Sequence, residues 1–575
     1  MAVIYQNEDL SLHKNNDSID LTSIKNNMAL TVNDDGEILN EYIVKLLDNY
    51  IFELLNENES FTPIHVDEVA SRIAKIYEKI RKIIDWKDDN ALRRGAIERI
   101  LKRIIFPNIA KITVKKFDIK YLAETLTFEL IRGGHLPNNS IPLERLIDVE
   151  RIIKKYLIFL DSSSKFDIFA FKQRVNYINF LIEISACEIE EILTNPFKEY
   201  GIINAMSKCL ENIVRFEPND FLKNDEIKKF LLISTIKTLY DLDDKYISYI
   251  LLKLNFPNWN ILEEDEIRII SKKLPEIWNQ IEIDLKNKIL KKFTRVAEYV
   301  DTIFLLIDDI LLKYKNKPNI LYKIFDNKIK FEKEIKIAYK KRYSTLKTRL
   351  IRLAIFSTLS VFLSNWFTFF IIEVPLAKLF YEGFNLKAAI IDFLIPTFVM
   401  FLLVSIIKLP SKDNMNKVIN LANSIVYKNS EKRYFQIKFD NGKPSLLKIF
   451  MVSLYIEIII FAFIGIAYLF YIGGLPMTSV IFDTFTISLT FFAAVAIKNK
   501  SKELNVDEDT TIGSFLLDML SVPIAKVGAF LARKWKEYNV VAILFNFLIE
   551  TPFAVILNLI QGWSDFISEE KQEFH

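Results

Sequence analysis

The chain has 575 residues, of which 51% are hydrophobic and 26% are charged, and its formal net charge is +3. That small positive excess gives no argument for nucleic-acid binding, and two cysteines are too few for a disulfide framework. Charge and apolarity are segregated, because residues 1–352 hold most of the charges and residues 353–497 hold most of the uninterrupted apolar sequence. Composition therefore predicts a soluble part followed by a membrane part.

The first part of the chain predicts a helical domain. Residues 1–35 are polar and aperiodic, which predicts a flexible tail without a signal peptide. Over residues 36–326 the apolar side chains recur at helical spacing, so we expect a cytoplasmic all-α domain of roughly ten helices. A short strand pair near Thr113–Val114 has weaker support. The predicted helices cover residues 37–57, 66–84, 90–105, 118–132, 142–160, 166–194, 224–240, 263–290, 293–315 and 327–349.

The last of these segments, residues 327–349, leads directly into the membrane part. No glycine or proline follows Pro318 before the first apolar stretch. We therefore expect one continuous juxtamembrane helix that couples the soluble domain to the first span.

Four apolar stretches within residues 350–498 predict a four-helix transmembrane bundle. They are residues 353–372, 388–407, 449–472 and 477–497. About twenty residues at about 1.5 Å each are enough to cross a hydrocarbon core of about 30 Å.

The basic residues predict the orientation of this bundle. The segments before, between and after the four stretches hold eight, two, nine, zero and three Lys or Arg residues in turn. Basic segments stay in the cytoplasm. The count predicts a multi-pass protein of the cell membrane with both termini, and the loop 408–448, on the cytoplasmic side.

The C-terminal residues 499–575 are expected to lie on the cytoplasmic membrane surface. Residues 512–539 mix apolar stretches with basic side chains, which is typical of an amphipathic helix on anionic lipid. Residues 540–560 are apolar but are broken at Thr551-Pro552, which favours a re-entrant or interfacial hairpin. A fifth span over residues 540–560 is the alternative.

Three acids lie inside the predicted spans: Asp392, Glu457 and Asp483. A carboxylate in a bilayer costs about 2.5–3.5 kcal/mol on insertion scales, and such residues tend to be functional. They form a candidate polar path for protons or cations, with Glu457 the deepest. The alternative is that Glu457 is protonated or hydrogen-bonded to neighbours such as Ser453. Pro396 interrupts the second span and is a candidate gating kink.

Other polar clusters have simpler explanations. The basic run from Arg93 to Arg103 is interpreted as the solvated face of a helix, and Gly133-Gly134 as a helix C-cap. The acid runs 188–191 and 263–266 lack the spacing of a calcium loop. The basic candidates for contact with anionic lipid are Lys340, Lys341, Arg342, Arg349, Arg352, Lys526, Arg533 and Lys534.

No catalytic or metal-binding motif appears. The four histidines lie far apart, and neither HExxH nor CxxC occurs. We expect no enzyme activity and no cofactor. The sequence favours a membrane-anchored scaffold or assembly factor that contacts the lipid bilayer and a protein partner. The alternative is an oligomeric ion channel or proton/cation-coupled transporter with a cytoplasmic regulatory domain. A homo-oligomer fits either function, and nucleic acid fits neither.

Overall fold

A computed structural model describes residues 38–56, 62–65, 89–108, 117–164, 171–217, 222–370, 374–375, 386–428, 430, 433–439, 446–506 and 512–538. Most of these residues are helical. The predicted tail 1–35, the helix 66–84, the strand pair near Thr113–Val114 and the segment 540–560 lie outside them.

In the described part of the chain, eleven α-helices and one strand precede the long helix that enters the membrane part. They are α1 Glu41–Asn56, α2 Asp89–Ile105, α3 Ile119–Arg132, α4 Arg145–Ser164, α5 Phe171–Thr194, α6 Phe197–Ile213, β1 Val214–Glu217, α7 Asn224–Tyr240, α8 Asp244–Asn255, α9 Glu264–Lys286, α10 Leu290–Lys313 and α11 Asn319–Phe325. Helices α6, α8 and α11 do not correspond to any predicted helix, and each is preceded by a turn at Pro196, Asp243 or Pro318.

The remaining elements alternate between the membrane part and the soluble part. They are α12 Lys328–Thr368, α13 Leu386–Ser405, α14 Asn414–Val426, β2 Phe435–Lys438, α15 Leu446–Ile472, α16 Met477–Ser501 and α17 Ile512–Tyr538. Helix α12 runs unbroken for 41 residues, which confirms the predicted continuous juxtamembrane helix. The side chain of Asn327 caps its start by accepting from the backbone N–H of Lys330 at 3.0 Å.

The prediction of an all-α fold needs one correction. Strands β1 and β2 pair in parallel, with Val214 opposite Phe435 and Glu217 opposite Lys438. The pair joins segments more than 200 residues apart along the chain, so no local pattern could indicate it.

One apolar core joins the soluble helices to the segments that connect the membrane helices. Val418, Tyr427 and Ile437 from residues 408–439 are buried in it, together with Leu504 and Val506, which follow α16. We call this unit the soluble core. The chain therefore returns to the soluble core after α13 and again after α16. Consequently, the start of α12, the α13–α15 connection and the end of α16 lie on the same side of the apolar helices.

Three helices in the described part of the chain are long and apolar enough to cross a membrane, namely Lys328–Thr368, Ile449–Ile472 and Ser479–Ser501. The second predicted span contributes a shorter apolar stretch, Leu394–Ser405 within α13. Helix α16 packs against α12, α13, α15 and α17. These apolar helices show that the protein is associated with a membrane.

Helix α17 lies along α16 in the opposite direction. Lys498 at the end of α16 pairs with Asp518 near the start of α17. Ten residues further into each helix, Gly528 meets Ser488 so closely that a Cβ on the glycine would lie 2.1 Å from the Ser488 carbonyl oxygen. Small residues allow such close helix contacts in membranes. The predicted amphipathic segment is thus a helix that packs beside α16 over at least ten residues.

Candidate functional site

The structure does not bring the predicted membrane acids to one point. Asp483 on α16 is buried, with 3% of its surface exposed. Glu457 on α15 is exposed, and its nearest polar contact is the Ser453 hydroxyl, which donates to Oε1 at 3.4 Å. Asp392 lies in α13, but its side chain is outside the described part. Glu457 therefore faces away from the helix bundle while Asp483 faces into it.

Helix α16 carries a buried polar face that the sequence analysis did not single out. Its Ser and Thr side chains recur with helical spacing around Asp483 and are almost fully covered, namely Ser479, Thr484, Ser488 and Thr490. The Thr484 and Ser488 hydroxyls donate to carbonyl oxygens one turn back, at 2.6 and 3.0 Å. These hydroxyls are satisfied within their own helix, so the face can sit in an apolar bundle at low cost.

Pro396 is buried inside α13, and the helix continues on both sides of it. Its role as a gating kink stays a prediction.

Three of the eight predicted lipid contacts touch other parts of the described structure at identified side chains or carbonyls. Arg342 is held by the soluble core, because its Nη2 donates to Asp309 Oδ1 at 3.0 Å and to the Leu305 carbonyl at 3.1 Å. Arg349 pairs with Glu503 in the segment after α16. Lys526 lies over the Tyr455 ring of α15. Exposed side chains are Lys340, Lys341, Arg352, Arg533 and Lys534. Contact with anionic lipid stays a prediction for all eight.

The soluble core contains buried ion pairs centred on α5. Lys155 Nζ lies 2.5 Å from Glu188 Oε1 and also donates to the Trp259 carbonyl at 2.7 Å. The Tyr156 hydroxyl and the Trp259 indole N–H both donate to Glu188 Oε2, at 2.8 and 3.1 Å. Every polar atom of the Glu188 carboxylate is therefore engaged. Burial lowers the pKa of Lys155, and Glu188 opposes that shift.

A second buried pair corrects the interpretation of the basic run on α2 as a solvated face, because the start of that run is covered while Arg103 at its end is exposed. Arg94 is only 2% exposed, and its guanidinium lies 2.9 Å from Glu190. Arg93 reaches the same carboxylate at 3.3 Å. Burial raises the pKa of Glu190, and the two guanidiniums act against it. Helical spacing shows which residues share a face, but it does not show that the acids of α5 cover that face.

The junction between the soluble core and α16 is held by polar contacts. Asn414 donates to Tyr339 of α12 at 3.0 Å and to the Leu504 carbonyl at 2.7 Å, and it accepts from the Val506 N–H at 3.1 Å. One side chain thereby ties α14 to α12 and to the segment that follows α16.

An acid with a displaced pKa lies beside this junction. Burial raises the pKa of Asp301 to about 8; a hydrogen bond from Thr302 opposes the shift, and the neighbouring Glu298 and Glu503 add to it. Thr302 also donates to the Glu503 carbonyl at 3.1 Å. The segment after α16 therefore places Glu503 near Asp301, whose carboxyl group ionises only at an unusually high pH.

The soluble core also has an open cleft of about 310 Å³ between α7, α8 and α9. Its aliphatic lining consists of Leu232, Leu251, Leu254, Ile277 and Ile281. Asp284 at its edge is matched by Lys229 at 2.6 Å and Gln280 at 3.1 Å. Lys228 also lines the cleft, and no carboxylate among the described residues lies within ion-pair distance of it. Asp225 lines the cleft as well, so the cleft is aliphatic inside and its lining includes two Lys and two Asp side chains.

The described residues contain no group of three or more His, Cys, Asp or Glu side chains that could hold a metal ion. Comparison with known proteins adds no family, since no family model, curated protein or solved structure matches this chain.

Proposed function

We propose that the protein is a membrane-anchored scaffold that binds a protein partner through the α7–α9 cleft of its cytoplasmic domain. The cleft carries the proposal, because it offers aliphatic side chains and the Lys228 ammonium to a segment from outside. The occupant that matches this lining is a short segment with an aliphatic side chain, a carboxylate for Lys228 and a basic side chain for Asp225.

The architecture supports the scaffold in a second way. The soluble core includes the start of α12, residues 408–439 and residues 502–506, so it is joined to the membrane helices at three places. A domain joined at three places has little freedom to rotate, and it would present the cleft at a constant height and direction above a bilayer. The basic flanks support the cytoplasmic side.

Position-specific photo-crosslinking tests this function. Gln280 lines the cleft, whereas its neighbour Asn279 is an exposed amide about 100° further round α9 and is not part of the lining. A photoreactive residue at 280 should give one discrete crosslinked protein in cells, and the same residue at 279 should not. Lys228→Glu should abolish the product by reversing the charge at the cleft. Equal crosslinking at 279 and 280, or a product insensitive to Lys228→Glu, contradicts the proposal.

A second candidate, proton or cation movement through an oligomer, is favoured by the buried polar face of α16 around Asp483. Flux into proteoliposomes tests it with Asp483→Asn and, as a control, Lys154→Met. If α16 lines a path, the first change should abolish flux and the second should leave it unchanged, because Lys154 lies on the soluble helix α4 in an exposed ion pair with Glu264. Flux that is indistinguishable between wild type and Asp483→Asn removes this candidate.

A further inference from the structure

The face of α15 that points away from the other helices carries an acid. Ser453, Glu457, Phe461, Gly465 and Leu469 follow one another every four residues and are all exposed. None of the apolar window of α15 is buried, compared with 44% of that of α16. We call this stripe the outer α15 face. Lipid tails can cover its apolar side chains, but they offer no hydrogen bond or counter-charge to a carboxylate.

Glu457 has no basic partner within the part of the chain that the structure describes. Among the described residues, its polar contact is the Ser453 hydroxyl, and no Lys, Arg or His lies within ion-pair distance. A hydroxyl provides one hydrogen bond, whereas an ionised carboxylate can accept about four. The described residues therefore leave most of the hydrogen-bonding capacity of this carboxylate unused.

The chain carries a matching cation on the other side of α15. Lys526 of α17 is exposed, and its Nζ lies 4.4 Å from the centre of the Tyr455 ring. Tyr455 is two residues before Glu457, so it points to the opposite side of the helix. Glu457 and Lys526 consequently flank α15 from opposite sides and cannot easily meet within one chain.

The two charges lie at nearly the same depth. Glu457 is nine residues past Lys448, and Lys526 is eight residues past Asp518, which pairs with Lys498 at the end of α16. At about 1.5 Å per residue, both lie about 12–13 Å inside the helix bundle. Copies of a membrane protein are related by rotation about the membrane normal, which preserves depth. Only groups at equal depth can therefore pair between copies.

We propose that the outer α15 face binds α17 of a second copy, with Glu457 paired to the partner's Lys526. Because the two charges lie on different sides of the chain, the contact is head-to-tail, and repeating it gives a ring when the rotation between copies divides a full turn. Gly465, whose Cβ position is open, allows the neighbouring helix to approach closely. This association surface is independent of the cleft and of the partner that the cleft binds.

Disulfide crosslinking in membranes tests the arrangement directly. Chains with Glu457→Cys alone or Lys526→Cys alone should remain monomers after oxidation, whereas co-expression of the two should give crosslinked dimers. The native Cys187 and Cys209 are buried, so wild type provides the background. Dimers from Glu457→Cys alone indicate a symmetric α15 contact and overturn the proposal. A chain with both cysteines that yields only monomers overturns it as well.

Charge exchange gives a second, independent measurement. In nanodiscs, Glu457→Gln, Glu457→Lys and Lys526→Glu should each lower the oligomer fraction about tenfold, the scale of one interhelical polar contact. The double variant Glu457→Lys with Lys526→Glu should recover it. Lys534→Glu, an exposed change eight residues further along α17, should have no effect. Single variants that stay oligomeric, or a double variant that does not recover, contradict the ion pair.

Discussion

The soluble core and the membrane helices differ in the partners that they provide for acidic side chains. In the soluble core, Glu188 is covered and has Lys155, Tyr156 and Trp259 as partners. In the membrane part, Glu457 faces outward and, among the described residues, has only the Ser453 hydroxyl as a partner. Helices of the soluble core come from many directions and can supply a partner to each acid. Helices that lie side by side in a bilayer also have outer faces, and under the arrangement proposed above a second copy supplies the partner for an acid on such a face.

The largest expected effect comes from breaking the buried pair. Glu188→Gln leaves the Lys155 ammonium buried without its counter-charge, and removing one member of such a pair typically costs about 3–5 kcal/mol of unfolding free energy. Thermal unfolding in detergent should show this as a marked fall in the melting temperature. Lys154→Met is the control, because the neighbouring Lys154 makes an exposed ion pair with Glu264, and such pairs contribute about 0–1 kcal/mol. Similar falls in melting temperature for Glu188→Gln and Lys154→Met would contradict the expected difference between a buried and an exposed ion pair.

A smaller loss is expected where α16 and α17 touch. A methyl group at position 528 would overlap the Ser488 carbonyl, and overpacking of this kind costs about 1–3 kcal/mol. Gly528→Ala should therefore make α17 more sensitive to limited proteolysis. Gly465→Ala adds the same methyl group to α15, where no atom lies within 4 Å, and the isolated chain should tolerate it. If the two alanine variants resist protease equally, the close contact is wrong.

The third effect concerns pH and the junction. The pKa of Asp301 is raised from its ordinary 3.8 to about 8, so the folded protein holds this proton more tightly than the unfolded chain. This contribution to stability is complete below pH 3.8 and is lost as the pH rises through about 8. Because the side chain is partly exposed, we expect an effect of about 1.4 kcal/mol, which corresponds to one pKa unit.

Asp301→Asn should remove this pH dependence. The variant should melt higher than wild type at pH 8.5 and close to wild type at pH 5. Melting curves at the two pH values, with Glu298→Gln as a neighbouring control, measure the difference. If the melting temperature of Asp301→Asn changes between pH 5 and pH 8.5 as much as that of wild type, the pH dependence comes from other groups.

The smallest effect on the single chain is expected for Glu457→Gln. The side chain is exposed. Its replacement should therefore change the unfolding free energy by no more than about 0.5 kcal/mol. The same chemical change at Glu188 then gives a difference of several kcal/mol between the two regions. A large loss of stability for monomeric Glu457→Gln would mean that the carboxylate is part of the fold.

Sequence patterns predicted the long, strongly periodic helices well. The unbroken helix through residues 327–349 and the apolar stretches at 449–472 and 477–497 were predicted because each depends on neighbouring residues alone. Helix α14 was not predicted, since it is a short element of 13 residues within the lysine-rich loop 408–448.

The candidate sites were predictable only in part. The sequence identified Glu457 and Asp483 as membrane acids, but it did not show that they face different ways. Burial of Arg94 could not be predicted, because it depends on which helix lies opposite. The α7–α9 cleft combines three helices and leaves no local pattern, and one of these helices, α8, was not predicted.

The parallel pairing of Val214 with Phe435 sets the order in which parts of the molecule can fold during synthesis. When the ribosome has made residues 38–350, strand β1 has no neighbour, and the places of Val418, Tyr427 and Leu504 are empty. Those residues are synthesised only after the first apolar helices have been made and have inserted into the membrane. The soluble core thus completes itself last, and a nascent chain that fails to insert is left with an unfilled apolar surface that chaperones can recognise.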